Sequence, residues 1–242
     1  MSQAALAIET LASRFESTAP VDTVDLVHHI AHELRQPLST IESIAYYLNL
    51  VLPREEPQVR QQLQRLQQLV EQSSWIVSNA VSLTHPVEPT LEQLDLSEIV
   101  SRWAADSASG AQPIELRAPG SLRPVLLDAA QIGHLLENLL HFFRSASDAR
   151  EPIIVSTSTT EEGVELRIAA RLREEALRDT NAILESLAPV GSRGCARQPH
   201  AARAAGLALS LANVRRIVEA HGARICSSAV AGLSITVTFP AA

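Results

Sequence analysis

The sequence predicts an α+β protein in two parts, a helical hairpin followed by an α/β sandwich that contains a mixed sheet. Two observations lead to this prediction. Between Ile30 and Val51, apolar residues recur at alternating spacings of four and three, which is the heptad pattern of helices that pack side by side. Beyond residue 90, short β-branched segments alternate with amphipathic stretches, as in a sheet that is covered by helices.

The composition narrows the class of protein. At 242 residues the chain is long enough for one large domain or two small ones, and its 46% hydrophobic content supports a real core in each. A net charge of -7 argues against a nucleic-acid partner. Cys195 and Cys226 form no metal or redox spacing, which suits a reducing compartment. Because the sequence has neither an 18-residue apolar run nor a signal peptide, we expect a cytoplasmic protein without a membrane partner.

The first elements are helical. Residues 4–17 predict a short amphipathic helix within an N-terminal segment, residues 1–20. A long helix is then expected from about Val24 to Leu52, with a local bend at Pro37. Its heptad positions form what we call the apolar seam, which consists of Ile30, Leu34, Pro37, Ile41, Ile44, Leu48 and Val51.

A second helix follows a turn at residues 53–57 and has its own seam of heptad positions at Val59, Leu63, Leu66, Val70, Ser73, Val77, Ala80 and Thr84. Two helices joined by a short turn form an antiparallel hairpin, here assigned to residues 21–86. One hairpin alone leaves much of its apolar surface exposed, so we expect two chains to pair into a four-helix bundle. The alternative is a hairpin that packs on its own C-terminal domain.

Prolines at residues 86 and 89 mark a linker, and the sandwich is assigned to residues 90–242. The expected mixed sheet has helices on one face. Helices are predicted at residues 96–108, 129–145, 174–187 and 207–221, and strands at residues 114–117, 125–127, 153–158, 164–170, 223–228 and 234–239.

His32 is the main candidate for chemistry. It lies two positions after Ile30, off the apolar seam, and Glu33 follows it directly. One nitrogen of a neutral imidazole can attack phosphorus while the other holds the proton. A single surface histidine is usually uninvolved in chemistry, but this neighbourhood reverses that expectation. His28 and His29 lack a following carboxylate and are interpreted as structural, with His28 toward solvent and His29 toward the bundle. The remaining histidines show no metal-ligand spacing, so no metal site is predicted.

Residues 32–38, His-Glu-Leu-Arg-Gln-Pro-Leu, resemble the phosphoacceptor H-box of two-component sensor histidine kinases. Residues 131–140 are similar to the helix that carries that family's N-box, and residues 206–222 to its second glycine box and the following helix. The resemblance covers about residues 22–240. It implies a dimeric phosphotransfer hairpin before a GHKL-type (Bergerat) ATP-binding sandwich. It also implies that Glu33 orients the His32 ring or acts as its acid/base. Gln36 stands where related kinases often position a hydrolytic water, although a solvated helix residue is an equally good interpretation.

Three nucleotide-binding elements depart from the family pattern. Phe142 stands where a second asparagine helps bind Mg²⁺, and a phenyl ring offers no oxygen ligand. Residues 171–176 lack the aspartate and glycines of the first glycine box. Ala204 and Ala208 flank Gly206, where small backbone positions usually meet phosphate. Asn138 and Gly206 are therefore interpreted as remnants of a nucleotide site, and we expect no bound ATP.

The sequence therefore predicts a dimeric histidine phosphotransferase that shuttles a phosphoryl group between receiver-domain aspartates through His32. The expected partners are response-regulator receiver domains, which bring Mg²⁺ with them, and the chain itself holds no cofactor. Such a phosphotransferase lacks autokinase activity. One alternative is an active cytosolic histidine kinase with a divergent nucleotide pocket. Another is a non-catalytic scaffold or inhibitor that binds a kinase or a regulator.

Overall fold

The structure, a computed structural model, describes residues 23–52, 57–85, 87–107, 112–118, 120–173, 202–228 and 232–241. It divides into two compact units, Met1–Thr84 and His85–Ala242. The expected helices at residues 4–17 and 174–187 lie outside the described residues, as do the N-terminal segment at residues 1–20 and the turn at residues 53–56. None of the described helices combines the length and the apolar character needed to cross a membrane.

The first unit is a hairpin of two helices, α1 (Thr23–Val51) and α2 (Pro57–Ser82). Helix α1 continues through Pro37. Helix α2 begins at Pro57, a position where the missing backbone N–H costs no hydrogen bond. The side chains that α1 buries are Ala31 and Ala45, and those that α2 buries include Leu63 and Val70. The two alanines lie two heptads apart and allow the helices to approach closely.

The apolar seam lies outside this contact. Ile30, Leu34, Ile41, Ile44 and Val51 are 38–53% exposed in the single chain. The sequence assigned the packing of α1 to these residues, whereas within the hairpin a neighbouring stripe packs instead. That stripe contains Ala31, Leu38 and Ala45, which also repeat every seven residues. A helix with two such stripes is apolar over a broad surface, and the hairpin covers only part of it.

The second unit combines three described helices with two sheets. Helices α3 (Leu96–Ser107), α4 (Ala129–Ala146) and α5 (Ala202–Ala220) are interspersed with seven strands. The strands are β1 (Glu92–Leu94), β2 (Ile114–Arg117), β3 (Val125–Leu127), β4 (Ile153–Thr159), β5 (Gly163–Ala170), β6 (Arg224–Ser228) and β7 (Leu233–Pro240). Five of them form a sheet in the order β2-β4-β5-β7-β6. Since β2 and β4 are parallel and the other neighbours antiparallel, the sheet is mixed, as predicted.

The core of this unit lies between the helices and one face of the sheet. Alternate residues of β5 are buried, including Val164, Leu166 and Ile168, which is the period expected of a strand with one covered face. Helix α4 contributes the buried side chains of Ile132, Leu135, Leu136, Leu139, Leu140, Phe142 and Phe143.

Two elements differ from the sequence-based expectation. Strand β1, which was not predicted, pairs antiparallel with β3 through Glu92–Leu94. Helix α5 begins at Ala202, five residues earlier than expected. Its first residues are rich in alanine, the strongest helix former, which explains the longer helix.

Asp128 fixes the start of α4. Its Oδ1 accepts a hydrogen bond of 3.0 Å from the backbone N–H of Gln131, and its Oδ2 accepts one of 2.9 Å from Thr90. Its own N–H donates to Nε2 of the buried His221, 3.1 Å away. Burial raises the pKa of the Asp128 carboxyl, but these hydrogen bonds outweigh it and hold the pKa below its usual value. The carboxylate therefore joins Thr90 to the start of α4, and the backbone N–H of Asp128 adds His221, the residue after α5.

Candidate functional site

The His32 ring projects from α1 into solvent. Its side chain is 70% exposed and that of Glu33 59% exposed, with Nδ1 and Oε1 3.9 Å apart. This separation exceeds a hydrogen bond, and an ion pair at such exposure contributes little energy. The ring is thus accessible to another protein, and the direction in which it projects is set mainly by the helix backbone.

Gln36 lies one turn after His32 on the same face of α1 and is exposed. Its backbone carbonyl accepts a hydrogen bond of 3.0 Å from Thr40 Oγ1. Two further side chains on this face were missed by the sequence analysis. Tyr46 and Leu50, about four and five turns after His32, are 61% and 66% exposed. The signal in the sequence was their position outside the heptad pattern, because apolar residues there serve neither the seam nor the hairpin.

His28 and His29 have environments opposite to those expected. His28 is half-buried, and its Nε2 lies 3.1 Å from Oγ1 of Thr84, just beyond the end of α2. His29 is exposed. The reason is helical geometry, since His28 lies three residues before the buried Ala31 and therefore beside the stripe that faces α2. His29 is rotated about 100° farther round the helix.

Asn138 lies in the middle of α4 and is 7% exposed. Its Nδ2 donates a hydrogen bond of 2.8 Å to the carbonyl of His134 in its own helix. Its Oδ1 is buried and has no hydrogen-bond partner among the residues that the structure describes. A buried amide oxygen in this state carries a free-energy penalty, which makes Asn138 a poor choice on structural grounds alone.

Phe142 is fully buried in the core beside Phe143, with the two rings edge to face and their centroids 5.4 Å apart. The resemblance assigns this position to an Mg²⁺-binding asparagine. The observed side chain faces apolar neighbours and offers no oxygen, so it does not fit a metal-bound nucleotide.

Of residues 171–176, where the first glycine box is expected, the structure describes Arg171, Leu172 and Arg173. Leu172 is buried in the apolar core. The backbone on both sides of it bonds to the end of α4, through Asp148 N–H to the Arg171 carbonyl at 3.1 Å and Arg173 N–H to the Ala146 carbonyl at 3.1 Å. Residues 171–173 thus show strand-like pairing and a buried apolar side chain.

Gly206 lies inside helix α5 rather than in a loop that precedes the helix. Backbone amides beyond the first turn of a helix bond within the helix, so they are not available to a phosphate. The helix predicted from residue 207 therefore begins too late, and Gly206 is part of it. Within the described parts of the chain, no group of three or more histidine, cysteine, aspartate or glutamate side chains is placed to hold a metal ion.

No protein-family model matches the chain. Its sequence is similar to that of the sensor histidine kinase ZraS of Escherichia coli K12, with 25% identity over 213 residues that span 86% of this chain and 43% of the relative. ZraS of Klebsiella oxytoca is 26% identical over 235 residues, which span 93% of this chain and 48% of the relative. The chain thus spans less than half the length of these curated relatives.

Among solved structures, full-length ShkA in complex with AMPPNP shares the fold, with a TM-score of 0.56 and 18% identity. The match covers 91% of this chain and 47% of ShkA. The architecture of a helical part followed by a mixed α/β sheet is therefore that of the matched structure. At 18% identity this match shows the fold, while the sequence similarity is to sensor histidine kinases.

Proposed function

We propose that this histidine kinase-like chain acts as a dimeric histidine phosphotransferase. In this proposal His32 takes a phosphoryl group from the aspartyl phosphate of one response-regulator receiver domain and passes it to the aspartate of another. The chain binds no ATP of its own. Its relatives are sensor histidine kinases, so the proposed activity keeps their phosphohistidine step and dispenses with the nucleotide.

The observation that carries the proposal is the apolar character of the expected nucleotide positions. Phe142 and Leu172 both belong to the core cluster, and Gly206 lies inside a helix. Filling a pocket with core side chains stabilises the α/β unit and removes the ligands of Mg²⁺ and adenine together. A phosphoryl donor outside the chain is then required.

The chemistry needs little from the chain beyond His32. With the proton on Nδ1, near Glu33, the Nε2 lone pair attacks phosphorus, and the P–O bond to the receiver aspartate breaks as its carboxylate leaves. Transfer to the second receiver reverses the step, with the aspartate carboxylate as nucleophile and neutral imidazole as leaving group. The receiver's Mg²⁺ neutralises charge on the phosphoryl oxygens, and the helix contributes positioning.

The receiver's docking surface is proposed to be the His32 face of α1. Tyr46 and Leu50 are exposed apolar side chains on this face, and an exposed tyrosine is a common anchor of protein interfaces. They lie far enough from His32 to contact a separate part of a docked domain while its aspartate reaches the ring.

The partner proposed for the apolar seam is a second copy of the chain. Ile30, Leu34, Ile41, Ile44 and Val51 form a continuous uncharged stripe at heptad spacing. Such a stripe is self-complementary across a twofold axis and is the pattern of a helical bundle. Pairing of two hairpins would bury it and leave the two His32 rings accessible.

A relay reconstituted with two purified receiver domains tests the proposed function. With one receiver loaded with labelled phosphate, the label is expected to appear on the chain and then on the second receiver. His32→Gln keeps the size and polarity of the side chain and is expected to block both transfers completely. His29→Gln changes an exposed histidine on the same helix and is the matched control. Transfer through the His32→Gln chain, or no transfer through the wild type, contradicts the proposal.

The second candidate function is ATP-dependent autophosphorylation of His32. It is favoured by the similarity to sensor kinases and by the buried Oδ1 of Asn138, which has no partner among the described residues. Calorimetric titration with ATP and Mg²⁺ separates the two candidates. Micromolar binding that is lost in Asn138→Ala supports the kinase, and no heat at millimolar ATP supports the phosphotransferase.

A further inference from the structure

The end of the hairpin near His32 is held together differently from its middle. In the middle, Leu38 and Ala45 of α1 and Leu63 and Val70 of α2 provide apolar contact surface. Near His32, α1 buries the small Ala31, and the hydrogen bond between His28 and Thr84 joins the two helices. Near the phosphoacceptor, the contact between the helices thus includes a small buried side chain and a polar bond.

The direction of this hydrogen bond follows from its neighbours. Thr84 Oγ1 donates to the carbonyl of Val81, 2.7 Å away, so its proton is committed there. The hydroxyl oxygen consequently accepts from His28, and Nε2 of His28 must carry the proton. The bond thus selects one tautomer of the ring and one rotation of α1 relative to α2, a constraint that apolar contacts impose less strictly.

We propose that His28 is a positioning residue for phosphoryl transfer at His32. The bond from His28 Nε2 to Thr84 Oγ1, which we call the His28–Thr84 tie, fixes the helical turn before His32 against the turn that follows α2. This inference rests on the proposed function, because it concerns the same reaction. The inference goes beyond the proposed function because it assigns a role to a histidine that takes no part in the chemistry.

Two features make His32 sensitive to this tie. Its ring is 70% exposed and lies 3.9 Å from Glu33, so local side-chain contacts hold it weakly. His28 and His32 are one turn apart on the same side of the helix, so a rotation or lift of the first turns of α1 moves both. A displacement of about 1 Å at a reacting group is enough to cost up to roughly 100-fold in rate.

The tie also connects His32 to the point where the chain leaves α2. Thr84 is the last residue of the helical unit, and the linker starts at His85. A change in the path of the linker that withdraws the Thr84 hydroxyl would release His28. Release of His28 would in turn free the helical turn that precedes His32.

The test compares single-turnover transfer from a phosphorylated receiver to a set of variants of the full chain. His28→Ala, His28→Phe and Thr84→Val each remove the tie and are expected to slow the maximal rate about tenfold. Receiver affinity should stay unchanged, because Tyr46 and Leu50 are untouched. His28→Gln keeps a donor near the position of Nε2 and is expected to recover most of the rate. His29→Ala is the exposed neighbouring control and should match the wild type.

A double-mutant cycle supplies the second readout. If the two side chains act through their mutual bond, His28→Ala combined with Thr84→Val should be no slower than either single variant. Multiplicative losses, a wild-type rate in His28→Ala, or equal rates for His28→Gln and His28→Phe would each overturn the proposal. If the wild type transfers phosphate and the variants match it, only the positioning role of the tie is overturned. If the wild type does not accept phosphate from receivers, the proposed function is overturned. In the latter case the same variant series is run with labelled ATP. If ATP does not label the wild type either, the tie is overturned as well, because there is no transfer for it to position.

Discussion

The two units of the chain place their apolar residues in opposite ways. In the α/β unit, the heptad-like positions of α4 all face inward, and Ile132, Leu135, Leu139 and Phe142 are fully buried. In the hairpin, the most regular apolar pattern of the whole sequence lies on the outside of α1. A regular apolar pattern thus predicts that a helix surface packs against another element. It does not indicate whether that element belongs to the same chain.

The same contrast extends to function. In the α/β unit, Phe142 and Leu172 are buried in the apolar core. The hairpin instead exposes an imidazole, two aromatic rings and a continuous apolar stripe. A unit that exposes this much apolar surface is incomplete on its own, and it is the natural part of the molecule to bind partners.

The largest expected effect is on assembly of the hairpin. Ile44→Asp places a charge on the apolar seam of both copies, and loss of apolar burial with repulsion across the twofold should weaken the dimer by at least about 4 kcal/mol, roughly a thousandfold in Kd. Tyr46→Asp, at a comparably exposed position on the opposite side of α1, is the matched control. Sedimentation equilibrium measures both. A monomeric wild type, or equal weakening by the two variants, would show that the seam does not hold a dimer.

The next effect is on stability of the α/β unit. Phe142→Ala leaves a cavity in a dry core and should lower its free energy of unfolding by about 3–5 kcal/mol. Ile44→Ala, which removes a half-exposed side chain, should lower that of the hairpin by less than about 1 kcal/mol when measured on the monomer. The hairpin unit contains one tryptophan, Trp75, and the α/β unit contains the other, Trp103. Urea unfolding followed in Trp75→Phe and Trp103→Phe backgrounds therefore reports on the units separately.

If Phe142→Ala instead lowered the free energy of unfolding only slightly, Phe142 would border an open pocket. That result would favour a nucleotide site in the α/β unit. The substitution Phe142→Asn separates the effect on stability from the effect on ATP affinity. It restores the residue type of the family pattern, yet it should destabilise the unit without creating ATP affinity, since Leu172 and the helical Gly206 remain.

A smaller effect concerns acid sensitivity of the α/β unit. Burial, and next the positive charge of Arg144, lower the pKa of His141 from 6.5 to about 4. Because the folded pKa lies below the unfolded one, the unfolded state binds more protons between these values. The contribution of His141 to the free energy of unfolding is therefore fully present above pH 6.5 and is lost as pH falls toward 4. The wild type should lose about 1–2 kcal/mol more than His141→Gln between pH 7.5 and pH 5, as measured by urea unfolding. Equal losses would remove His141 as the cause.

The smallest effect concerns the cap of α4. Asp128→Ala removes the acceptor for Gln131 and Thr90 and should cost about 1–2 kcal/mol. Asp106, exposed near the end of α3, is the control, and its replacement by alanine should cost less than about 0.5 kcal/mol. Thermal unfolding at neutral pH gives both values. Indistinguishable melting temperatures would mean that the cap does not stabilise the unit.

Much of the fold was predictable because period and turn chemistry agree along most of the chain. The strands β2 and β5 and the helix α4 were predicted to within a residue or two, since their apolar periods are regular. Three-residue strands have no detectable period. Strand β3 was predicted because it is apolar throughout, whereas β1 was missed because two of its three residues are polar. The early start of α5 was missed because a glycine favoured a loop, whereas the surrounding alanines favour helix.

The site was predictable in its residue types but not in its contacts. The exposed position of His32 followed from its place off the seam. The environments of His28 and His29 did not, because they depend on which of two adjacent stripes faces α2, and alanines at Ala31 and Ala45 give a weaker signal than the isoleucines of the seam. Burial of Phe142 was likewise beyond the sequence, which showed only that an oxygen ligand was missing.

The central claim, that phosphate reaches His32 from another protein, is tested most directly by offering the wild-type chain two labelled donors in parallel. One reaction contains γ-labelled ATP with Mg²⁺, and the other contains a receiver domain that already carries labelled phosphate. We expect acid-labile label on His32 from the receiver within seconds to minutes and none from ATP over hours. Label from ATP that is absent in His32→Gln would contradict the claim and would make the chain a kinase.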